Sequence, residues 1–255
     1  IVEIGNWRFP FNNSEPWDNS GIQIGDPNRE ITNIAFSLDV NPSTIHFAKN
    51  NLCELIITHH PILINPVKNI LASELAGESI MLAIGSHVDV LSLHTNLDAA
   101  EGGLNDYLAE LLGLQETIIP EQAGCARIGR LKQPLSFTSL NELVKRKWNL
   151  DGTTVICDDP EKMVSNVFLV SGSGSGYLGR AVAMDADVMI TGDVKYHSAM
   201  DARRFCMPII DAGHFGMEKH AIKLMAETFR EEFEKVGVRI VCCECHDEKD
   251  QFNVC

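Results

Sequence analysis

The chain has 255 residues, 45% of them hydrophobic and 22% charged, with 21 Lys and Arg against 35 Asp and Glu for a formal net charge of −14. That composition is globular and excludes a disordered chain, a coiled coil and a collagen-like fibre. The acidity argues against general nucleic-acid binding, which needs clustered Lys and Arg, and against an anionic membrane surface. No uncharged apolar run reaches the roughly 18 residues of a transmembrane helix, so none is expected.

The length allows one large domain or two small ones, and 28.2 kDa is enough to bury a core without disulfides. The chain begins at Ile1 rather than Met, so some preceding sequence is expected. Trp7, Arg8, Pro10 and Asn12 interrupt any apolar stretch, and no secretory signal is expected. The 8 cysteines are scattered, which fits free thiols in a reducing compartment and predicts a cytoplasmic location. Cys242-Cys243-Glu244-Cys245-His246 invites a metal reading. A β-strand over 238–243 with cysteine as a small buried hydrophobe is the stronger reading, because no second Cys or His pair stands at zinc-finger spacing.

Apolar runs alternate with helical stretches along the chain. Strands are predicted over 34–38, 52–58 and 88–93, with helices over 42–50 and 73–81. Leu104, Leu108, Leu111 and Leu112 fall at helical spacing and Gly113 stops that helix. The polar stretch 114–129 reads as a connection. Ser139-Leu140-Asn141-Glu142 has the pattern of a capping box opening a helix to 147. Further strands are predicted over 153–157, 166–170 and 187–191, with a helix over 177–184. From Pro208 a short strand leads to Gly213. A long helix follows, with Ile222, Met225, Phe229, Phe233 and Val236 on one stripe and Gly237 as its stop. A last strand covers 238–243. This βαβα rhythm predicts an α/β fold of two related units with mixed sheets, the second inserted into the first. The expected domains are 1–114 with 208–255, carrying the metal ligands, and 115–207.

Three segments stand where strands end. Thr58-His59-His60-Pro61 places two imidazoles at a point where Pro61 stops the ladder and bends the chain. His94-Thr95-Asn96-Leu97-Asp98 offers an imidazole and a carboxylate. His214 and Glu218 lie four apart and share one helical face. The carboxyl ends of strands are where open α/β sheets place ligands. Singly each segment is weak, since a lone His is most often a hydrogen-bonded core or surface residue. Together the three clusters point to metal. Imidazole and carboxylate suit Zn, Fe, Mn or Ni. Five or six such ligands exceed the need of one four-coordinate ion and suit a pair of ions roughly 3.5–4 Å apart, bridged by a carboxylate. No cysteine falls in any cluster, which disfavours a closed structural site.

The chain resembles the NIF-three-like family, also known as GTP cyclohydrolase type-two homologues. The resemblance runs almost end to end, through Glu15-Pro16-Trp17-Asp18-Asn19-Ser20-Gly21-Ile22-Gln23, Ile57-Thr58-His59-His60-Pro61, His94-Thr95-Asn96-Leu97-Asp98, Thr191-Gly192-Asp193 to His197, and Gly213-His214 to Glu218. It implies an α/β fold of two related domains, toroidal hexamers and two divalent metal ions per subunit. It also implies that the ligands are His59, His60, Asp98, His214 and Glu218, with Glu218 as the bridging carboxylate. The chain lacks the middle insertion of longer members and so resembles the short form. Its beginning departs from the family, because the helix usual before the Trp-Asp-Asn segment faces a Pro- and Asn-broken stretch over 7–14.

Ser171-Gly172-Ser173-Gly174-Ser175-Gly176 follows a strand, and its N–H groups, with Gly174 at the centre, either cradle an anion or form a plain turn. No Gly-Lys-Ser/Thr follows, so it is not a Walker motif. Asp193, Lys195 and His197 line the site by resemblance, Asp193 and Lys195 as substrate binders and His197 as acid–base. His94 is expected to orient a ligand or to move a proton. The open dinuclear site predicts a metal-dependent hydrolase acting on a small molecule: GTP by family resemblance, a phosphoester or a cyclic amide equally by chemistry. The alternative is a non-catalytic metal-binding or regulatory protein serving as an interaction platform.

Overall fold

The structure, a computed structural model, describes residues 1–252. The chain divides into two compact units, one of Ile1–Ala100 with Lys219–Glu248, the other of Glu101–Glu218 with residues 249–252.

The first unit holds a sheet of β1 (Gly21–Ile24), β2 (Asn33–Ser37), β3 (Leu55–Thr58), β4 (Asp89–Ser92) and β11 (Val241–Glu244) in the order β1-β4-β3-β2-β11. β11, β2, β3 and β4 run parallel, and β1 is antiparallel at the edge. Ile34, Phe36, Ile56, Ile57, Val90 and Leu91 are buried. Strands covered on both faces read as continuous apolar runs, which is why β2, β3 and β4 were legible. The helix Pro42–Asn50 starts where expected. Asn41 accepts from Ser43 and Thr44 backbone N–H groups, Thr44 closes a capping box, and Pro42 sits at the first helical position. The helix His220–Val236 buries Ile222, Met225, Phe229 and Phe233, lays Phe229 against Phe36, and stops at Gly237 with φ 72°.

The second unit holds β5 (Gln115–Ile118), β6 (Arg127–Ser136), β7 (Thr154–Ile156), β8 (Met163–Leu169), β9 (Val188–Thr191) and β10 (Ile209–Asp211), in the order β5-β6-β8-β9-β10-β7. β8, β9 and β10 are parallel, and the other pairings are antiparallel. Both sheets are therefore mixed, as the βα rhythm predicts.

Several expectations shift. Residues 115–118 are not loop but an edge strand. Its polar, exposed face gave no alternation to read, and its partner β6 was hidden by Gly129 and Pro134. The expected capping box at Ser139 lies one turn inside the helix Phe137–Trp148, whose cap is Ser136 accepting from the Ser139 N–H. A helix does precede the Trp-Asp-Asn segment, over Val2–Arg8, followed by a 3-10 turn at Phe11–Asn13. The expected first domain took in Leu104–Leu112 and the strand after Pro208. The structure gives both to the second unit, because that helix packs on β6 and on Phe137–Trp148, and β10 pairs with β9 and β7. Among the described residues, no helix is long and apolar enough to cross a membrane.

Arg127 at the start of β6 is fully buried. Its Nε donates to Asp106 Oδ1 at 2.5 Å, its Nη2 to Asp106 Oδ2 at 3.1 Å, and its Nη1 to the carbonyls of Gly124 and Ala126. The Asp106 side chain keeps 29% of its surface exposed, so only the guanidinium side of the pair is fully buried, and Arg127→Ala is expected to lose about 1–3 kcal/mol, read as a lower urea midpoint. The paired change Arg127→Met with Asp106→Leu is expected to recover most of it. An unchanged midpoint in the single variant would contradict this reading.

Candidate metal centre

In the first unit the parallel register sets the site. Ser37, Thr58 and Ser92 lie side by side at the carboxyl ends of β2, β3 and β4. The ladder continues briefly beyond them: the His59 N–H donates to Ser37 O, His60 N–H to Leu38 O, and Leu93 N–H to Thr58 O. This delivers His59-His60 and Leu93-His94 to one edge, where Pro61 ends the strand. The rings of His59, His60 and His94 lie 5.1–5.7 Å apart, and one nitrogen of each falls within 4.8 Å of the others.

Each imidazole is fixed through Nδ1. His59 Nδ1 is 2.8 Å from Leu93 O, His60 Nδ1 is 2.8 Å from Asp39 Oδ1, and His94 Nδ1 is 2.7 Å from Asp18 Oδ1. A carbonyl or carboxylate oxygen only accepts, so Nδ1 carries the proton and the Nε2 lone pair is the one a metal can use. Asp98, on the short helix Thr95–Ala99, brings Oδ1 to 3.8 Å from His59 Nε2, with both side chains buried.

Asp18 is the centre of this arrangement. Its carboxylate also accepts from Asn19 N–H at 2.7 Å, Ser20 Oγ at 2.8 Å, Thr95 N–H at 3.1 Å and Thr95 Oγ1 at 2.5 Å. Burial alone would raise this carboxyl. The hydrogen bonds from His94, Thr95 and Ser20 and the charge of His94 outweigh it and hold Asp18 well below the usual carboxylate range. The Asp39 backbone is braced in turn, as the Leu38 and Asp39 N–H groups donate to the Glu248 carboxylate. Burial pushes Glu248 up to about 7 against the pull of those two donors.

The second unit repeats the logic at the carboxyl ends of β8, β9 and β10, where Leu169 aligns with Ile190 and Thr191 with Asp211. His214 and Glu218 sit on the short helix His214–Glu218 that follows β10. His214 Nδ1 is 2.8 Å from Asp193 Oδ2, and His214 Nε2 is 2.7 Å from Glu218 Oε2. With Nδ1 donating to Asp193, the second contact faces a nitrogen lone pair with a carboxylate oxygen, a pairing that a proton or a cation must bridge. Asp193 itself sits at φ 52°, in the left-handed region that Asp tolerates better than most residues.

Glycine makes room for the pair. A Cβ on Gly172, whose φ is 60°, would stand 2.3 Å from Glu218 Oε1, and one on Gly192 would meet the backbone of His214 and Gly213 at 2.8–2.9 Å. Thr191 Oγ1 accepts from Gly174 N–H at 2.9 Å and donates to Gly172 O at 3.1 Å, tying the glycine segment to β9.

The structure thus brings together His59, His60, His94 and Asp98 within one unit, and His214 with Glu218 within the other. The expectation that one domain carries every ligand gives way, because residues up to Glu218 belong to the second unit. Asp193 contacts His214 and acts on its orientation. Gly174 gives its N–H to Thr191, and its Cα is hemmed in by Val170 and Thr191. Lys195 is the exposed N-cap of the helix Tyr196–Arg204, and His197 is exposed with its ring edge-on to Tyr196. The orienting carboxylates of Asp18 and Asp39 were missed. Asp18 had a signal in its place between Trp17 and Asn19; Asp39 had none. Among the described residues, neither metal-competent group includes a cysteine, in keeping with the strand reading of the C-terminal cysteines.

The sequence profile of the Duf34/NIF3 (NGG1p interacting factor 3) family matches residues 1–249. A Clostridium perfringens protein named GTP cyclohydrolase 1 type 2 homolog is 32% identical over 253 residues, covering 97% of this chain and 96% of its own. Among solved structures, a Staphylococcus aureus hypothetical protein superposes with a TM-score of 0.93 at 23% identity, covering 100% of this chain and 97% of that one. A Bacillus cereus protein related to NIF3 gives 0.92 at 21% identity, covering 100% and 98%.

The depressed Asp18 carboxyl makes an acid-side prediction. A group whose folded value lies below its unfolded value of 3.8 contributes fully above that value, and the contribution is lost as pH falls through the folded one. Asp18→Asn is therefore expected to lose about 2–3 kcal/mol at pH 7 and to flatten the acid limb of the stability curve. Denaturant titrations from pH 7 down to pH 2 measure this; parallel acid limbs for variant and wild type would contradict it.

Proposed function

The chain belongs to the Duf34/NIF3 family, and from that premise we propose that it is a metal-dependent hydrolase binding two divalent ions per subunit. The single observation that carries the reading is that His59, His60, His94 and His214 are each anchored through Nδ1 to a fixed oxygen. Metal-ligating histidines almost always donate their other ring N–H to a carboxylate or carbonyl, and here four histidines that follow strand ends all do so. The proposed ligands are His59, His60, Asp98, His214 and Glu218, with Glu218 as the shared carboxylate. The ligand types suit Zn, Fe, Mn or Ni.

Bound ions at such sites supply Lewis acidity and lower the pKa of water. The chain's own residues do the rest. Asp18 holds His94 so that its Nε2 can take or return a proton beside the imidazole set. Asp193 fixes the His214 ring, while His197 and Lys195 stand in solvent on the segment after β9, available to a substrate. The names of the relatives support a nucleotide substrate; the donor set serves a phosphoester or a cyclic amide equally well. We propose a homohexamer as the assembly and the cytoplasm as its location.

The second reading, a non-catalytic metal-binding platform, is favoured by the exposure of His197 and Lys195, the side chains that the hydrolase reading sets against a substrate. One experiment addresses both. Protein purified without added metal or chelator is expected to carry close to two metal ions per chain by mass spectrometry, and His59→Ala with Glu218→Ala to carry far fewer. His197→Ala is expected to keep the metal while losing turnover against a panel of GTP, phosphoesters and cyclic amides. Absence of metal even after reconstitution would end the metal reading. Full metal content without turnover on any of the panel would end the hydrolase and leave the platform.

A further inference from the structure

Trp17 has no role in anything derived above, yet it is 61% exposed beside the imidazole set. Exposure alone does not single Trp17 out, since Trp7 is 66% exposed; its place beside the imidazoles does. Trp148 is fully buried, and Trp7 lies on the helix Val2–Arg8 with the Arg8 guanidinium 5.7 Å from its ring centre. Trp17 stands 5.8 Å from the His94 ring at an interplanar angle of 77°, so it touches His94 edge to face and leaves most of its surface to solvent. An indole so exposed forgoes the burial that ordinarily stabilises it.

The backbone around Trp17 is locked on both sides. Glu15 N–H donates to Thr95 Oγ1 at 2.9 Å, and Asp18 is held by His94, Thr95, Ser20 and the Asn19 N–H. Asn19 Nδ2 donates to Leu63 O at 2.7 Å, and Gln23 Nε2 donates back to Asn19 O at 2.7 Å. A pre-organised aromatic at the rim of a functional cluster loses little entropy when a ligand covers it. From Trp17 the next ring is His94, and from His94 the rings of His59 and His60 are 5.2 and 5.7 Å away. A fused heteroaromatic ring stacked on the indole would lie beside His94, whose Nε2 is left open by the Nδ1 contact to Asp18 and is not among the proposed metal ligands.

We propose that Trp17 is the specificity-determining platform of this site, stacking the planar heteroaromatic ring of a nucleobase-type substrate. The proposal rests on the reading of the imidazole cluster as the functional site and adds to it the residue that selects the ligand's ring. Trp17 is no ligand to metal and carries no proton; it acts through stacking alone.

The test titrates the full-length, metal-loaded protein with GMP, AMP, CMP and ribose 5-phosphate by calorimetry. In parallel it follows tryptophan emission in a Trp7→Phe background, where Trp17 is the exposed reporter. Metal content is measured on every variant. GMP is expected to quench the emission and to bind more tightly than ribose 5-phosphate. Trp17→Ala is expected to weaken GMP binding by about tenfold to a hundredfold, the usual worth of one base-stacking contact. Trp17→Phe should restore most of it, ribose 5-phosphate binding should not change, and metal content should stay at the wild-type level. Equal GMP affinity in Trp17→Ala and wild type overturns the proposal. So does a panel in which no base-bearing probe binds more tightly than ribose 5-phosphate. A changed oligomeric mass in Trp17→Ala with unchanged GMP binding overturns it in favour of a second copy of the chain on that surface. Loss of metal from the wild type would sink the metal reading, and it is seen in a separate measurement.

Discussion

A hydrogen bond from Nδ1 to a fixed oxygen decides which nitrogen of an imidazole can bind anything else. In this protein the condition is met at His59 by the Leu93 carbonyl and at His60, His94 and His214 by Asp39, Asp18 and Asp193. Three of the four orienting groups are carboxylates, which raise the basicity of the opposite nitrogen as well as fixing the ring. Asp18 extends the constraint furthest, since one buried carboxylate fixes the His94 tautomer, the first turn of the helix Thr95–Ala99 that carries Asp98, and the loop that presents Trp17.

The sheets explain why these groups meet. In each unit three adjacent parallel strands end in register, so the residues that follow them emerge together at one edge. Apolar side chains fill the strands themselves, from Ile34 and Ile56 in one sheet to Phe168 and Ile190 in the other. The polar chemistry is confined to the first few residues beyond. Glycine with positive φ or no space for a Cβ, as at Gly172 and Gly192, lets those loops approach one another closely. The same design serves both units with different residues, an imidazole cluster with one carboxylate in the first and an imidazole–carboxylate pair in the second.

The buried parallel strands were legible because their apolar runs are continuous, and the helices Pro42–Asn50 and Leu104–Leu112 because Pro42 and Gly113 punctuate them. The imidazoles and acids of the site were legible because each falls immediately after such a strand. What was not legible had no local signature. β5 and β6 hide their pairing behind an exposed polar face and behind Gly129 and Pro134. Arg127 looks like any surface arginine until Asp106, distant in sequence, comes to meet it. Asp18 and Asp39 lie 76 and 21 residues from the histidines they orient, and only the sheet register brings them there. The division of the chain was misplaced for a similar reason, since Ile209–Asp211 reads as the start of a returning first domain but pairs with β9 and β7.

The most direct test of this account is long-range proton–nitrogen NMR of the histidine side chains, recorded first on metal-stripped protein and then with zinc added. The account predicts the Nδ1-protonated tautomer at His59, His60 and His94 before metal, and a large shift of the Nε2 signals of His59, His60 and His214 once zinc is present. Protonated Nε2 in the neutral rings of His59 and His60, or Nε2 signals that zinc leaves in place, would contradict it.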